Sequence, residues 1–309
     1  MVQLLWISFF VVVAAIACSC ERSVTDEFTF DGPTHIVELI DGSVAVSDGY
    51  GNARVAIFDP EGRFVRSFGS RGFGRGQFNN PHGLGVLSDG RLLVCDRDNA
   101  RIQMFSPDGD FLDMWQSSVL GRPWSVAVAA GDTVFALDGG DQRSSEPRAG
   151  IVQLTAHGAV VQRFSMYGTE PGSLNWAHSI GVDHKGNIYV VDLRNERLQR
   201  FDKQSSNTFR INAQWSEQAT RRVRKPLSLV VKDSSLYVSQ DISGAPIRHI
   251  STETGTDKGT IADGLFERVH GMMIDRKNRL WVVDVDRNVV ARLAPNGQPE
   301  LELGQGGLR

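Results

Sequence analysis

The chain of 309 residues has only three cysteines, and two of them, Cys18 and Cys20, sit together near its start. Cys95 is therefore alone in the body, inside the apolar run Leu92–Cys95. A disulfide framework is excluded, paired-cysteine zinc spacing is absent, and Cys95 reads as a buried structural thiol. Charge of one sign is also lacking. The 33 Lys and Arg against 36 Asp and Glu leave a net charge of -3, which gives no electrostatic case for nucleic acid or an anionic membrane. The one short basic run, Arg221-Arg222-Val223-Arg224-Lys225, has no interleaved aromatics and reads as a solvated loop. No Gly-rich loop follows a strand and opens a helix, so nucleotide chemistry is not expected. No segment of the body sustains a helical period.

Long apolar runs are missing with one exception, Leu4 to Ala17. A spanning helix needs about 20 such residues, so this length fits the apolar region of a secretory signal better. The small residues of Ala15-Ile16-Ala17-Cys18 resemble a lipoprotein signal, although Met1 to Trp6 carries no Lys or Arg. Residues 1–20 are expected to direct export, with lipid anchoring at Cys18 or an uncleaved membrane tether as two forms of it. Residues 21–26 read as a linker and residues 27–305 as one domain.

What the body does contain is a repeat. Each of six segments opens with an apolar run, continues with a second run ending near an Asp, and then gives a third and a fourth run. The second runs are Ser43 to Asp48, Leu92 to Asp96, Thr133 to Asp138, Asn187 to Asp192, Ser235 to Asp241 and Arg279 to Asp284. Aligning the opening runs puts His35, His82, Ser125, His178, Ser228 and His270 in one column, with spacings of 47, 43, 53, 50 and 42 residues. A period of about 40–50 residues with several short strands per unit indicates propeller blades. Ser88-Asp89-Gly90, Pro107-Asp108-Gly109, Pro60-Glu61-Gly62 and Pro295-Asn296-Gly297 are hairpin turns between strands. The expectation is an all-β, six-bladed β-propeller. Phe28 to Phe30 is expected to pair beside Glu300 to Leu303 and tie the ring.

The column also suggests chemistry. In a propeller it starts the innermost strand, beside the central channel. His82, His178 and His270 come from alternate blades, so three imidazoles converge with near threefold geometry. Three histidines with an open fourth position is a catalytic zinc pattern. His35 breaks the alternation and reads as a structural or supporting copy.

Gly72-Phe73-Gly74-Arg75-Gly76-Gln77-Phe78-Asn79-Asn80-Pro81-His82-Gly83-Leu84 resembles the junction of NHL-repeat propellers. More narrowly, Ser47-Asp48-Gly49-Tyr50, Pro81-His82-Gly83-Leu84 and Asp96-Arg97-Asp98-Asn99 resemble the peptidyl-α-hydroxyglycine α-amidating lyases. That resemblance implies Zn2+ on His82, His178 and His270, Tyr50 as general base and Arg97 holding the substrate carboxylate. It implies cleavage of a peptidyl-α-hydroxyglycine to a peptide amide and glyoxylate by a monomer acting on a small peptide or amide substrate. The chain departs from the family in blade order, which is circularly permuted. The family's Ca2+ uses an Asp after the third histidine, where this chain has Ser179. A second active-site arginine has no counterpart in register in repeat five, and Arg194 is the nearest substitute by sequence. The alternative from another class is a non-catalytic NHL propeller that binds a protein or glycan ligand.

Overall fold

The computed structural model describes residues 28–141 and 147–304. The expected export segment 1–20, Cys18 and the linker 21–26 lie outside the described residues. So does part of the blade 3 loop. Among the described residues no helix is long and apolar enough to cross a membrane.

Six four-stranded antiparallel sheets follow one another along the chain, each in simple up-and-down order. Their innermost strands are Pro33–Glu38, Pro81–Val86, Pro123–Ala129, Ala177–Val182, Pro226–Lys232 and Val269–Ile274. Each touches the innermost strand of the next blade, and the last touches the first, so the ring is closed. The second strands, such as Val44–Asp48, Leu92–Asp96 and Leu280–Asp284, are buried on both faces. That explains their near-continuous apolar composition, since a neighbouring blade covers each side. The core accordingly falls into six clusters, one per blade interface. Ala45, Val55 and Ile57 of blade 1 meet Leu84, Val94 and Phe105 of blade 2 in one of them. Ile36 and Val46 meet Met273, Trp281 and Val283 across the closure.

The Asp that ends most second strands has a structural reason. Asp96 is fully buried and accepts hydrogen bonds from the Asn79 amide, the Asn99 side chain and the Arg101 guanidinium at 2.7, 2.8 and 2.6 Å. It knits the entry of the innermost strand to the turn after the second. Asp48 and Asp192 do the same with Arg54 and Arg197.

Three expectations are corrected. Phe28–Phe30 forms no strand; blade 6 is completed by its own fourth strand, Pro299–Gly304. Phe30 instead packs with Leu303 and Trp281, and the Gly32 amide donates to Asn288 at 2.7 Å. The ends are joined by packing and one polar clip. Second, there is an α-helix, Ala213–Thr220, capped by Asn212 and burying Trp215 and Ala219 between blades 4 and 5. Eight residues with two large contacts are too short to show a period. Third, in blade 5 it is Gln240, not Asp241, that pairs opposite the strand entry at Pro226.

The register of the innermost strands also differs from the expected column. Pro33, Pro81, Pro123, Ala177, Pro226 and Val269 hold equivalent places opposite the end of each second strand. The next residues are therefore Thr34, His82, Trp124, His178, Leu227 and His270. His35 stands one residue further along, level with Gly83, Ser125, Ser179, Ser228 and Gly271. The bulge that follows each entry residue shifts the register and hides this in the sequence. Corrected, histidine alternates strictly: blades 2, 4 and 6 carry it, and blades 1, 3 and 5 do not.

Candidate metal centre

His82, His178 and His270 are buried and come together on the channel axis. Their ring centroids are 5.1, 4.9 and 4.7 Å apart, close to an equilateral triangle. One nitrogen from each lies within 4.8 Å of the others, and the three could hold a metal ion. Among the described residues no other group of three His, Cys, Asp or Glu is so placed.

The neighbouring blade sets the tautomer. His82 Nδ1 donates to the Trp124 carbonyl at 2.6 Å, and His270 Nδ1 donates to the Thr34 carbonyl at 2.8 Å. A proton held on Nδ1 leaves the Nε2 lone pair facing the axis, as a metal ligand requires. Burial, followed by the charge of Arg97 and the neighbouring rings, keeps His82 well below the usual imidazole range. His178 is likewise lowered by burial first, and His270 falls to about 3 for the same leading reason. All three are neutral at physiological pH. Three neutral lone pairs aimed at one point, with no donor between them other than a tyrosine, is a donor set that suits a divalent transition metal.

The glycines after two of the ligands make this possible. A Cβ on Gly83 would lie 2.9 Å from the Trp124 carbonyl oxygen, and one on Gly271 would lie 2.6 Å from that of Thr34. Those are the two carbonyls that accept from His82 and His270. His178 is followed by Ser179, whose hydroxyl accepts from the Leu229 amide of the next blade at 3.2 Å. The His178 Nδ1 is buried without a hydrogen-bond partner, although the Leu227 carbonyl is near enough to act on it electrostatically. His178 is thus the least supported ligand. Gly83→Ala is expected to weaken metal affinity about tenfold or more, in the range typical of lost outer-shell contacts. Ser179→Gly is expected to strengthen it by letting the Leu227 carbonyl close on the ring. Chelator-competition titrations of the two variants check both signs, and weaker binding in Ser179→Gly would contradict the account.

Tyr50 reaches the same point from blade 1. It follows the buried Asp48, and its amide donates to the Gly32 carbonyl at 3.0 Å. A Cβ on Gly32 would fall 2.5 Å from that of Tyr50, so this approach needs glycine. The hydroxyl lies 2.9 Å from His270 Nε2 and 3.4 Å from His82 Nε2. Burial raises its pKa, while Arg97 and, more weakly, Arg268 pull it down. The tyrosine is therefore a protonated donor to the histidine lone pair in the metal-free chain. A lowered value would require more positive charge than the two arginines supply.

Arg97 sits in the 3-10 turn Arg97–Asn99, where its Nε contacts Asp98 at 3.2 Å. Its guanidinium carbon is 4.5 Å from the Trp124 ring centre and 5.6 Å from that of Tyr50. His35 is not part of the cluster. Its Nδ1 accepts from the Leu84 amide at 3.4 Å, the reverse of the ligand pattern, and it lines a cavity of about 560 Å³ at the opposite end of the channel. Burial lowers its pKa to about 4. Arg194, the nearest substitute by sequence, lies over the Trp176 ring at 4.1 Å. Arg268, which the sequence reading missed, is near enough for its charge to act weakly on Tyr50 and His270, while its guanidinium pairs with Asp286 at 2.5 Å. The signal was its place immediately before the blade 6 entry, Val269-His270.

Comparison with known proteins agrees with the fold. The NHL repeat profile matches residues 78–105. Peptidyl-glycine alpha-amidating monooxygenase B of Xenopus laevis is 32% identical over 191 residues, 57% of this chain and 21% of that protein. Peptidyl-alpha-hydroxyglycine alpha-amidating lyase 1 of Drosophila melanogaster is 26% identical over 259 residues, 76% of this chain and 44% of that protein. The chain thus spans less than half the length of either relative. Among solved structures, virginiamycin B lyase from Staphylococcus aureus matches with a TM-score of 0.59 at 16% identity, over 90% of this chain and 87% of that one. That last likeness speaks to the fold alone.

Proposed function

From an NHL-repeat six-bladed propeller similar to the amidating lyases, we propose a zinc-dependent carbon–nitrogen lyase. Its substrate would be a peptidyl-α-hydroxyglycine, and its products a peptide amide and glyoxylate. The observation that carries this reading is the cluster of three buried, neutral imidazoles with the Tyr50 hydroxyl against two of them. A zinc ion held by His82, His178 and His270 would supply a Lewis acid beside the substrate's α-hydroxyl. Tyr50 would take the hydroxyl proton. The carbon–oxygen double bond of glyoxylate would then form as the carbon–nitrogen bond breaks, and the electron pair would leave on nitrogen, which takes up the proton that Tyr50 received. Atoms and electrons balance without a redox partner. Arg97 offers a planar fork for the carboxylate, a geometry that lysine could not copy. Arg268 adds a second positive charge on the same side. With residues 1–20 read as an export segment, the reaction would take place outside the cytoplasm.

The test is direct. Purified protein with about one equivalent of zinc, given a synthetic α-hydroxyglycine peptide, should release glyoxylate and amide in equal amounts, measured by hydrazone formation and mass spectrometry. Metal uptake without release would leave other zinc chemistry. A protein that binds no metal would be a ligand-binding propeller.

A further inference from the structure

The residue that leads into each innermost strand takes a left-handed backbone in four blades. These are Gly32 at φ 70, Asn80 at 68, Trp176 at 54 and Lys225 at 44. Glycine and asparagine tolerate that region, while a bulky aromatic there is an outlier. The junction itself therefore does not ask for an indole, since Gly32 and Asn80 serve it elsewhere. Residues held in unfavourable backbone regions point toward function when the surroundings fix them in place. Trp176 is fixed: the Arg194 guanidinium lies 4.1 Å over its ring, and Trp124 lies 5.8 Å away at 45°.

Trp124 occupies the position between two histidine ligands in the inner ring. Its ring centre is 5.6 Å from His82 and 5.5 Å from His178. Its indole N–H is spent on the Gly140 carbonyl at 3.1 Å, so it presents only apolar ring surface to the channel. Arg97 covers Trp124 at 4.5 Å and Arg194 covers one face of Trp176 at 4.1 Å; half-buried Trp176 is the more exposed of the two indoles. The mouth is thus divided. Blades 1, 2 and 6 supply Tyr50, Arg97 and Arg268, while blades 3 and 4 supply the two indoles.

We propose that Trp176, backed by Trp124, is the subsite for the side chain that precedes the reacting residue, and that it selects peptides with an aromatic or large apolar residue there. The direction of the peptide rests on the lyase reading: a carboxylate turned to Arg97 and a hydroxyl turned to Tyr50 leave the rest of the chain pointing across the axis to blades 3 and 4. An indole face with an arginine behind it favours an aromatic ring by edge and stacking contacts.

Acetyl-Phe-Gly and acetyl-Ala-Gly lack the hydroxyl and do not react, so their binding can be measured by calorimetry on the zinc-loaded protein. The Phe ligand is expected to bind about tenfold tighter, an effect of the size that an extra buried aromatic contact gives. Trp176→Asn copies the residue at Asn80 and suits the backbone. It should keep the melting temperature or raise it, and bring the ratio to within about twofold. Equal binding of the two ligands by the wild type, binding of neither, or an unchanged ratio in Trp176→Asn would each overturn the subsite. A Phe preference lost in Trp176→Asn, in a protein that releases no glyoxylate from any hydroxyglycine peptide, would sink the lyase reading and leave the subsite standing. Glyoxylate release with equal kcat/KM for Phe and Ala substrates would do the opposite.

Discussion

His82→Ala, His178→Ala and His270→Ala are each expected to take bound zinc from about one per chain to well below that, because two imidazoles and no carboxylate remain. Loss of a Lewis acid worth several kcal/mol should lower glyoxylate release by roughly a thousandfold or more. The three variants should not be equal in stability. His82 and His270 each donate to a buried carbonyl, so their removal strands the Trp124 or Thr34 oxygen, at about 1–3 kcal/mol. His178 makes no such bond, and its removal from the metal-free protein should be the mildest. His35→Ala is the control. It sits one residue off the ring and faces the far cavity, so zinc content should stay near that of the wild type. Plasma emission spectrometry of the four proteins decides the matter. Retention of zinc by all three ring variants would place the metal elsewhere.

That control also shows where the sequence was and was not legible. The six repeats could be read because every blade interface needs the same buried second strand, and the strand-ending Asp recurs for the hydrogen bonds it accepts. The alternation of His82, His178 and His270 was visible for the same reason. The column placed His35 among them because a β-bulge after each entry residue is invisible in a linear alignment. Thr34, Trp124 and Leu227, the true occupants of the other three positions, share no chemistry that would have flagged them. The short helix Ala213–Thr220 was lost in a stretch whose only signals are an Asn cap and three buried residues. Arg268 escaped because its role depends on where the ring closes. The charge of Arg268 acts on Tyr50 only because blade 6 lies against blade 1, 218 positions away in sequence. The support given by Gly83 and Gly271 was likewise hidden, since it depends on how near the next blade's carbonyl comes.

Tyr50→Phe is expected to leave zinc binding intact and to lower kcat by about 10²- to 10⁴-fold, the usual contribution of a positioned acid–base group. Tyr50 as a whole residue is 40% exposed, while its hydroxyl reaches inward to the lone pairs of His270 and His82. Removing that oxygen deletes no imidazole. Burial holds its pKa above the ordinary tyrosine value, and Arg97 is the largest influence in the other direction. A base must first lose its proton, so the wild-type rate should climb with pH toward the point where the phenol ionises. Positive charge within the histidine ring would act with the same sign as Arg97 and move that point down. The rising limb should be absent in Tyr50→Phe. In Arg97→Ala it should shift to higher pH, because the main influence lowering the pKa is gone, and KM should rise as the carboxylate loses its fork. The two variants therefore separate: one loses the limb with KM nearly unchanged, the other moves it with KM raised. Pre-steady-state glyoxylate release measured across pH on zinc-loaded proteins tests both. A Tyr50→Phe protein with wild-type kcat and an intact limb would mean that the proton goes elsewhere, and the role assigned to blade 1 would fall with it.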